Sequence, residues 1–353
     1  MSVLLLLCFI SCDQRLRPVN PRIEYINYVS RSGTLELPLS GATGYAAINI
    51  PVFETANQNS RTIGLLSAGQ GFLIIDEEND WLHIETDNFR GWVSNRFCMV
   101  NLPDVLPSII YDNTNTYSSL FRSSGKDIPN ITGLALYEAK DFNTRLGRDE
   151  YIAPVLYGMI RKIGAAQQAA LADGNTLVIY EAFRPSDVHD IVYDNLYDLY
   201  LRDRDVRTGI STPPFNIRWF LAPAPYNHQR GTAIDVTLAR VGQMEARTTG
   251  NYVYPYITIY TEYQMHTPMH ELSIASVVFS SAPNSRSPTA WLEAEFADNV
   301  TAGTRLLHKY MTEAGLTPLA SEWWHFNDLE FTDYDDTENV GKYFVNKTYS
   351  IAP

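Results

Sequence analysis

The segment N-H-Q-R-G-T-A-I-D-V-T-L, running from Asn227 to Leu238, sets an imidazole, a glycine and a carboxylate around a short apolar run. Ala233 to Leu238 reads as a strand. His228 and Asp235 are seven positions apart, so in one straight strand their side chains would face opposite ways. Gly231 permits a bend, which lets His228 stand on the loop before the strand that Asp235 occupies, both facing one cleft. Further along, S-E-W-W-H-F at Ser321 to Phe326 adds Glu322 and His325. These two need a turn or helical geometry to converge. His228, Asp235 and His325 together form a donor set for one zinc ion, with Glu322 beside the last ligand. Three protein ligands with one open position is the pattern of a catalytic zinc site, not of a structural one. Taken alone each half is a weak signal, since H-x-x-G-x-x-x-D is common by chance and E-W-W-H also suits an aromatic core strand.

Around these motifs the elements are mixed. Asp149 to Ala172 carries Ile152, Val155, Leu156, Met159, Ile160 and Ile163 at spacings of three and four, which predicts an amphipathic helix. Asp173-Gly174-Asn175 ends it. Thr176 to Phe183 reads as a buried strand closed by Arg184-Pro185, Ser186 to Leu201 as a helix, and Ala290 to Ala314 as a long helix stopped at Gly315. Helices and strands do not alternate strictly, so this part is α+β. From Gly41 to Leu102 the pattern changes to short apolar runs between Gly, Asn and Asp turns: 48–52, 62–66, 71–75, 81–84 and 91–93. That spacing predicts a small all-β antiparallel barrel. The expected division is a leader at 1–12, an extension with a first strand at 13–40, the barrel at 41–102, a linker at 103–112 around Pro103 and Pro107, and the metal-binding domain at 113–353.

A length of 353 residues fits two domains better than one core. The net charge of -13 excludes nucleic acid as a partner, because no surplus of Lys and Arg exists to neutralise phosphates. The run M-S-V-L-L-L-L-C-F-I-S-C is too short to span a bilayer. It reads as an export signal, and Cys12 as the lipidated residue of a lipoprotein leader, with cleavage without lipidation as the other reading. The chain is therefore expected in the periplasm or cell envelope. Cleavage there leaves Cys98 as the one thiol beyond the anchor, so no internal disulfide is expected.

Two resemblances follow. Residues 41–102 resemble a bacterial SH3-like domain, with Trp81 and Trp92 where that family places its tryptophans. The resemblance implies a module that binds cell-wall peptides or glycan, although Trp92 is expected to fill the small core. Residues 110 to 330 resemble the D-alanyl-D-alanine dipeptidases, zinc peptidases of the vancomycin-resistance type. The motifs are Tyr226, His228, Gly231, Ala233 and Asp235; Glu322 to His325; Phe183-Arg184-Pro185; and Asn130-Ile-Thr-Gly133, all in the family's order. The resemblance implies one zinc ion on His228, Asp235 and His325. Glu322 would be general base and acid, and Arg184 would stabilise charge on the scissile carbonyl oxygen. Two positions depart from the family. Tyr226 stands for a serine, and Met265 to His270 ends in His where the family has an Asp for the substrate ammonium, with Glu271 next. Tyr226, His270 and Glu271 are therefore expected to face substrate, while His83, His189 and His308 read as solvated or core histidines.

The resulting expectation is a zinc metallopeptidase cleaving short peptidoglycan-derived peptides that contain D-amino acids. A wall-anchored D,D- or L,D-carboxypeptidase or endopeptidase acting on stem peptides is the enzymatic alternative. A wall-binding lipoprotein with a degenerate peptidase domain is the non-enzymatic one.

Overall fold

The computed structural model describes residues 34–222, 227–330 and 340–353. Cys12, the leader and Tyr226 lie outside the described residues. Most of the segment 13–40, where a first strand was expected, lies outside the described residues; among the described residues the first strand is β1 (Thr43–Ala46). Then come β2 (Ile50–Phe53), β3 (Thr62–Leu66), β4 (Gly71–Glu78), β5 (Trp81–Glu85), β6 (Arg90–Ser94) and β7 (Cys98–Asn101). β2 to β6 fall on the apolar runs read from the sequence, whereas β1 and β7 lie outside them. Alternation sets their faces: Leu82, Ile84 and Val93 are fully buried, whereas Trp81, His83 and Trp92 point away from that core and are half-buried. Trp92 stacks on His83 at 4.7 Å between ring centroids, and Trp81 meets Phe53 edge-on at 5.6 Å. Trp92 is thus a surface aromatic, correcting the expectation that it fills the core.

Residues 103–112 are not a linker. Asn101 is followed by a short helix, α1 (Leu102–Val105), and residues 101–109 are all buried. Asp104 has no exposure; its carboxylate accepts from the Thr43 backbone N–H at 2.8 Å and from the Asn143 amide. Two prolines in a row of apolar residues serve packing here, because Val105 O accepts from the backbone of Glu36 and Leu37, and β8 (Ile110–Tyr111) joins the second sheet. Two short hairpins follow, β9 (Arg122–Ser123) with β10 (Lys126–Asp127) and β11 (Lys140–Asn143) with β12 (Arg148–Tyr151). Then β13 (Pro154–Leu156) pairs with β7. The resulting sheet is eight-stranded and antiparallel, in the order β13-β7-β1-β4-β5-β6-β2-β3. The barrel region therefore borrows a strand from beyond the supposed linker. One apolar core runs through both halves.

Glu36 gives this junction a testable signature. Its carboxylate is 4% exposed, and it accepts from the Ser108 N–H at 2.8 Å and from the Ser108 hydroxyl. Burial pushes its pKa up from 4.5 to about 7, against the lowering effect of the Ser108 bonds. A carboxyl whose folded pKa is raised stabilises the fold fully below pH 4.5 and loses that contribution as pH climbs through 7. The expected loss is about 3 kcal/mol at most between pH 4.5 and 8. Urea unfolding of Glu36→Gln beside wild type checks this: the variant's stability should fall less over that pH range, and parallel pH profiles would refute it.

The helix expected from Asp149 begins only at α2 (Tyr157–Ala172). Pro154 biases the residue before it to extended geometry, and pairing with β7 keeps the chain extended to Leu156. Gly174, at φ 75°, ends the helix as read. β14 (Asn175–Glu181) is buried throughout, and α3 (Ser186–Arg202) follows the Arg184-Pro185 break. After α4 (Arg204–Gly209) and α5 (Ile217–Phe220) comes β15 (Ala233–Thr249), far longer than the strand expected to Leu238. Its outer half is exposed and pairs with β16 (Tyr252–Glu262) as a projecting hairpin. The long helix expected at 290–314 is reduced to α6 (Ala302–Glu313), with Thr301 Oγ1 capping Thr304 N. Upstream, Ala290–Glu293 makes only a 3-10 turn, and the stretch after it is held against 278–280 by Ser280 N–H to Glu295 O and Ala297 N–H to Val278 O. β17 (Thr317–Leu319) and β18 (Glu322–Asn327) complete a second sheet, β17-β18-β15-β14-β8, with β16 on β15. α2 packs on β14 and α6. The closing segment 340–353 returns to the barrel, where Ile351 N–H meets Gly41 O at 2.9 Å and Tyr45 Oη meets Lys347 O at 2.6 Å. All-β N-terminal region and α+β remainder are as expected; their separation is not.

Candidate metal centre

Register assembles the centre. β15 lies between β14 and β18, with Asp235 opposite Glu181 on one side and His325 on the other. Directly opposed residues share a face, so these three side chains form a row across the sheet. His228 arrives from the 3-10 turn His228–Arg230, ended by Gly231 at φ 70°. The bend inferred from Gly231 is therefore present. Leu156 N–H donates to Gly231 O at 2.8 Å, and a Cβ on Gly231 would stand 2.8 Å from Met99 Sδ of β7. Gly231→Ala is accordingly expected to cost about 1–2 kcal/mol from its left-handed backbone alone, more from crowding Met99, and to weaken metal binding by shifting His228. Thermal unfolding and zinc titration of the variant check both; an unchanged affinity would show that the bend does not set the ligand.

His228 Nε2, Asp235 Oδ1 and His325 Nδ1 form a triangle with sides of 3.2, 3.2 and 3.1 Å. Donors of a tetrahedral ion at bond lengths of about 2.1 Å lie about 3.4 Å apart, so the triangle fits the face of such a coordination shell. The outward atoms are engaged as a metal site requires. His228 Nδ1 donates to Ala182 O at 2.6 Å, and His325 Nε2 donates to Asn327 Oδ1 at 3.0 Å. Each partner fixes the tautomer that leaves the inward nitrogen unprotonated. Asp235 Oδ2 accepts from Arg184 Nη2 at 3.1 Å and His270 Nε2 at 3.2 Å. All three side chains are buried. Losing the anchor of one imidazole should matter: Asn327→Ala is expected to weaken zinc binding by about 10- to 100-fold, read by competition with a chelating dye.

Glu322 and His325 are not on a helical turn. Both lie in β18, where the pairing slips between Pro318 opposite Phe326 and Leu319 opposite Glu322. The slip breaks the regular alternation, so two residues three apart face one cavity, with Glu322 Oε2 3.6 Å from His325 Nδ1. Burial pushes the Glu322 carboxyl up to about 8, opposed by His325 and Arg184 and assisted by Asp235. Asp235 behaves differently. Burial raises it, but His228, His270 and His325 outweigh that and hold it well below the usual carboxylate range.

Arg184 stands at the cavity wall, 4% exposed. Its Nε donates to Glu181 Oε2 at 2.6 Å and its Nη2 to Asp235 Oδ2, while the Phe121 ring lies 5.0 Å from its guanidinium carbon. Burial lowers its pKa, but Glu181 and Asp235 outweigh that and raise it further above the ordinary range. Glu181, Asp235 and His270 are also close enough to share a cation. There the cation is Arg184, whose Nη2 pairs with both carboxylates.

His270 and Glu271 do not face the cavity. His270 has no exposure, stacks on Phe121 at 4.3 Å and braces Asp235 from behind, in a left-handed backbone at φ 60° that costs about 1–3 kcal/mol in a residue with a side chain. Glu271 is 5% exposed and accepts from Gly125 N–H and Ser273 Oγ. Both are supports, which corrects their expected contact with substrate. The Asn130 to Gly133 segment is a support as well: Thr132 Oγ1 bonds Phe121 O at 2.6 Å and so steadies the ring under Arg184 and His270. Conversely His189, read as solvated or core, lines the cavity; Nε2 bonds Ala222 O at 2.6 Å, and burial, then Arg184, depresses its pKa to about 4, so the ring is neutral. His308 sits in an aromatic shell of Phe279, Trp291 and Phe296, as a core histidine. Glu181 and Asn327 had no expected role, though their places beside Arg184 and His325 were visible signals.

The N-terminal sheet decides the one family assignment. Residues 49–98 match the bacterial SH3 domain family. The match covers β2 to β6 and ends at the first residue of β7. In this bacterial SH3 domain the outward row of Trp81, His83 and Trp92 is the aromatic surface. A search of curated proteins finds no match to the chain.

Proposed function

We propose that the chain is a zinc-dependent peptidase acting on short D-amino-acid-containing peptides of the cell wall. The observation that carries this reading is the donor triangle of 3.1–3.2 Å, buried, with every outward atom engaged and a buried carboxylate on the same cavity. Two unprotonated nitrogens and a carboxylate oxygen pointing at one another repel unless a cation joins them, and the set of two His and one Asp suits zinc. Bound there, zinc would supply Lewis-acid polarisation of a carbonyl and of water.

The chain's own residues would do the rest. Glu322, held in a water-poor site that raises its proton affinity, accepts a proton from the attacking water at Oε2 and returns it to the leaving amine. Arg184, fixed by Glu181, presents positive charge where the scissile carbonyl oxygen becomes negative; a well-placed donor of this kind contributes about 3–4 kcal/mol. His270 and Phe121 keep Asp235 and Arg184 in place. The bacterial SH3 domain favours a substrate still linked to the wall over a freely diffusing dipeptide, which keeps the stem-peptide carboxypeptidase or endopeptidase as the second reading.

The test offers the zinc-loaded protein D-Ala-D-Ala beside muramyl pentapeptides and weighs the fragments. Cleavage of either, abolished by a chelator and restored by zinc, is expected. Release from the pentapeptides alone selects the second reading; a protein that takes up no zinc and cleaves neither removes the proposal.

A further inference from the structure

The cavity holds about 630 Å3, more room than two alanine residues need. Among the described residues its wall carries a charge opposite to that of the molecule. The whole chain is at -13, yet among the described lining residues four arginines (Arg184, Arg218, Arg230 and Arg286) face two carboxylates, Asp235 and Glu322. Those two carboxylates belong to the metal-binding and proton-transfer machinery. No further described acidic side chain lines the cavity to receive an ammonium group, since His270 and Glu271 are buried behind it.

Two of the arginines have no part in the donor set or its supports. Arg218 stands on α5, one residue from Trp219 at the rim, with its backbone N–H held by Asn216 Oδ1 at 3.0 Å. Arg286 also lines the cavity, its N–H held by Asn284 Oδ1 at 3.0 Å. Both side chains are exposed. Guanidinium groups pair with carboxylates through two parallel hydrogen bonds, which gives direction as well as attraction. A cationic cleft in an acidic protein also draws anionic ligands in.

We propose that Arg218 and Arg286 select peptides carrying a free carboxylate, longer than a dipeptide. This deepens the peptidase reading and rests on it for the chemistry, but the binding can be measured apart from cleavage. The full zinc-loaded chain is titrated calorimetrically, as Glu322→Gln, with a stem-type pentapeptide as the free acid, the same peptide with its carboxylates amidated, and D-Ala-D-Ala. Amidation is expected to weaken binding at least tenfold. Arg218→Ala with Arg286→Ala should weaken the free acid to the same extent, leave the amide unchanged, and leave zinc uptake intact. Raising the salt should narrow the difference. With Glu322 restored, KM should follow the same order.

Equal binding of acid and amide overturns the inference, as does an arginine-free rim that still discriminates, a dipeptide that binds best, or no binding of any of the three. A free acid that is bound selectively but never cleaved leaves the carboxylate assignment standing and brings down the peptidase reading instead.

Discussion

Glu322→Gln is expected to keep zinc and lose about a thousandfold in peptide hydrolysis. The amide has the shape of the carboxylate, so β18, the register slip beside Leu319 and the His325 ring should be undisturbed. What disappears is the ability to hold a proton. Burial raises the affinity of Glu322 for that proton to about pH 8, and a cation held by the adjoining donor triangle would lower it. Metal content by emission spectroscopy and turnover of a muramyl peptide, read on one sample, decide the matter. A variant retaining wild-type turnover would take the proton-transfer role away from Glu322.

Asp235→Asn is expected to have the second large effect, on metal binding and on stability at once. Oδ1 faces both imidazoles, while Oδ2 binds Arg184 and His270. The amide removes one negative charge from a place where it neutralises a buried guanidinium. Breaking a buried pair in this way costs about 3–5 kcal/mol. Arg184 keeps Glu181, which puts the expected loss near the lower figure. Zinc should then be taken up only at concentrations higher by several orders of magnitude. Denaturant unfolding with and without zinc checks both parts. If wild type and variant unfold at the same midpoint and gain equally from zinc, Asp235 is neither the charge partner nor a ligand.

How much of this was readable beforehand varies with the physical origin of each feature. The barrel strands were legible because alternation of Leu82 and Ile84 with Trp81 and His83 is a two-residue period, local and visible. His228 and Asp235 were placed on one site because Gly231 announced a bend. Glu322 and His325 were placed on one cavity, as they are, but with the wrong local geometry, since a slip in strand register depends on β17, which the motif does not contain. The linker was misread because Pro103 and Pro107 look the same in a solvated connection and in a buried corner; only Glu36 and Asp104, partners distant in sequence, distinguish the two. His270 looked like a substrate residue because a motif records its place in a row of letters and not its depth. The same limit hid His189, which reaches the cavity from the first turn of α3.

The contact between Gly231 and Met99 has a bearing on how such a chain can change over generations. Small SH3 modules are often thought of as cassettes, exchangeable without touching the domain they accompany. Here the space that a side chain at Gly231 would need is taken by the Met99 thioether, one residue past the SH3 match, and the sheet is finished by a strand from the other side. A substitute inserted at that joint would have to reproduce one sulfur-sized filling and one open strand edge, or the histidine would lose its seat.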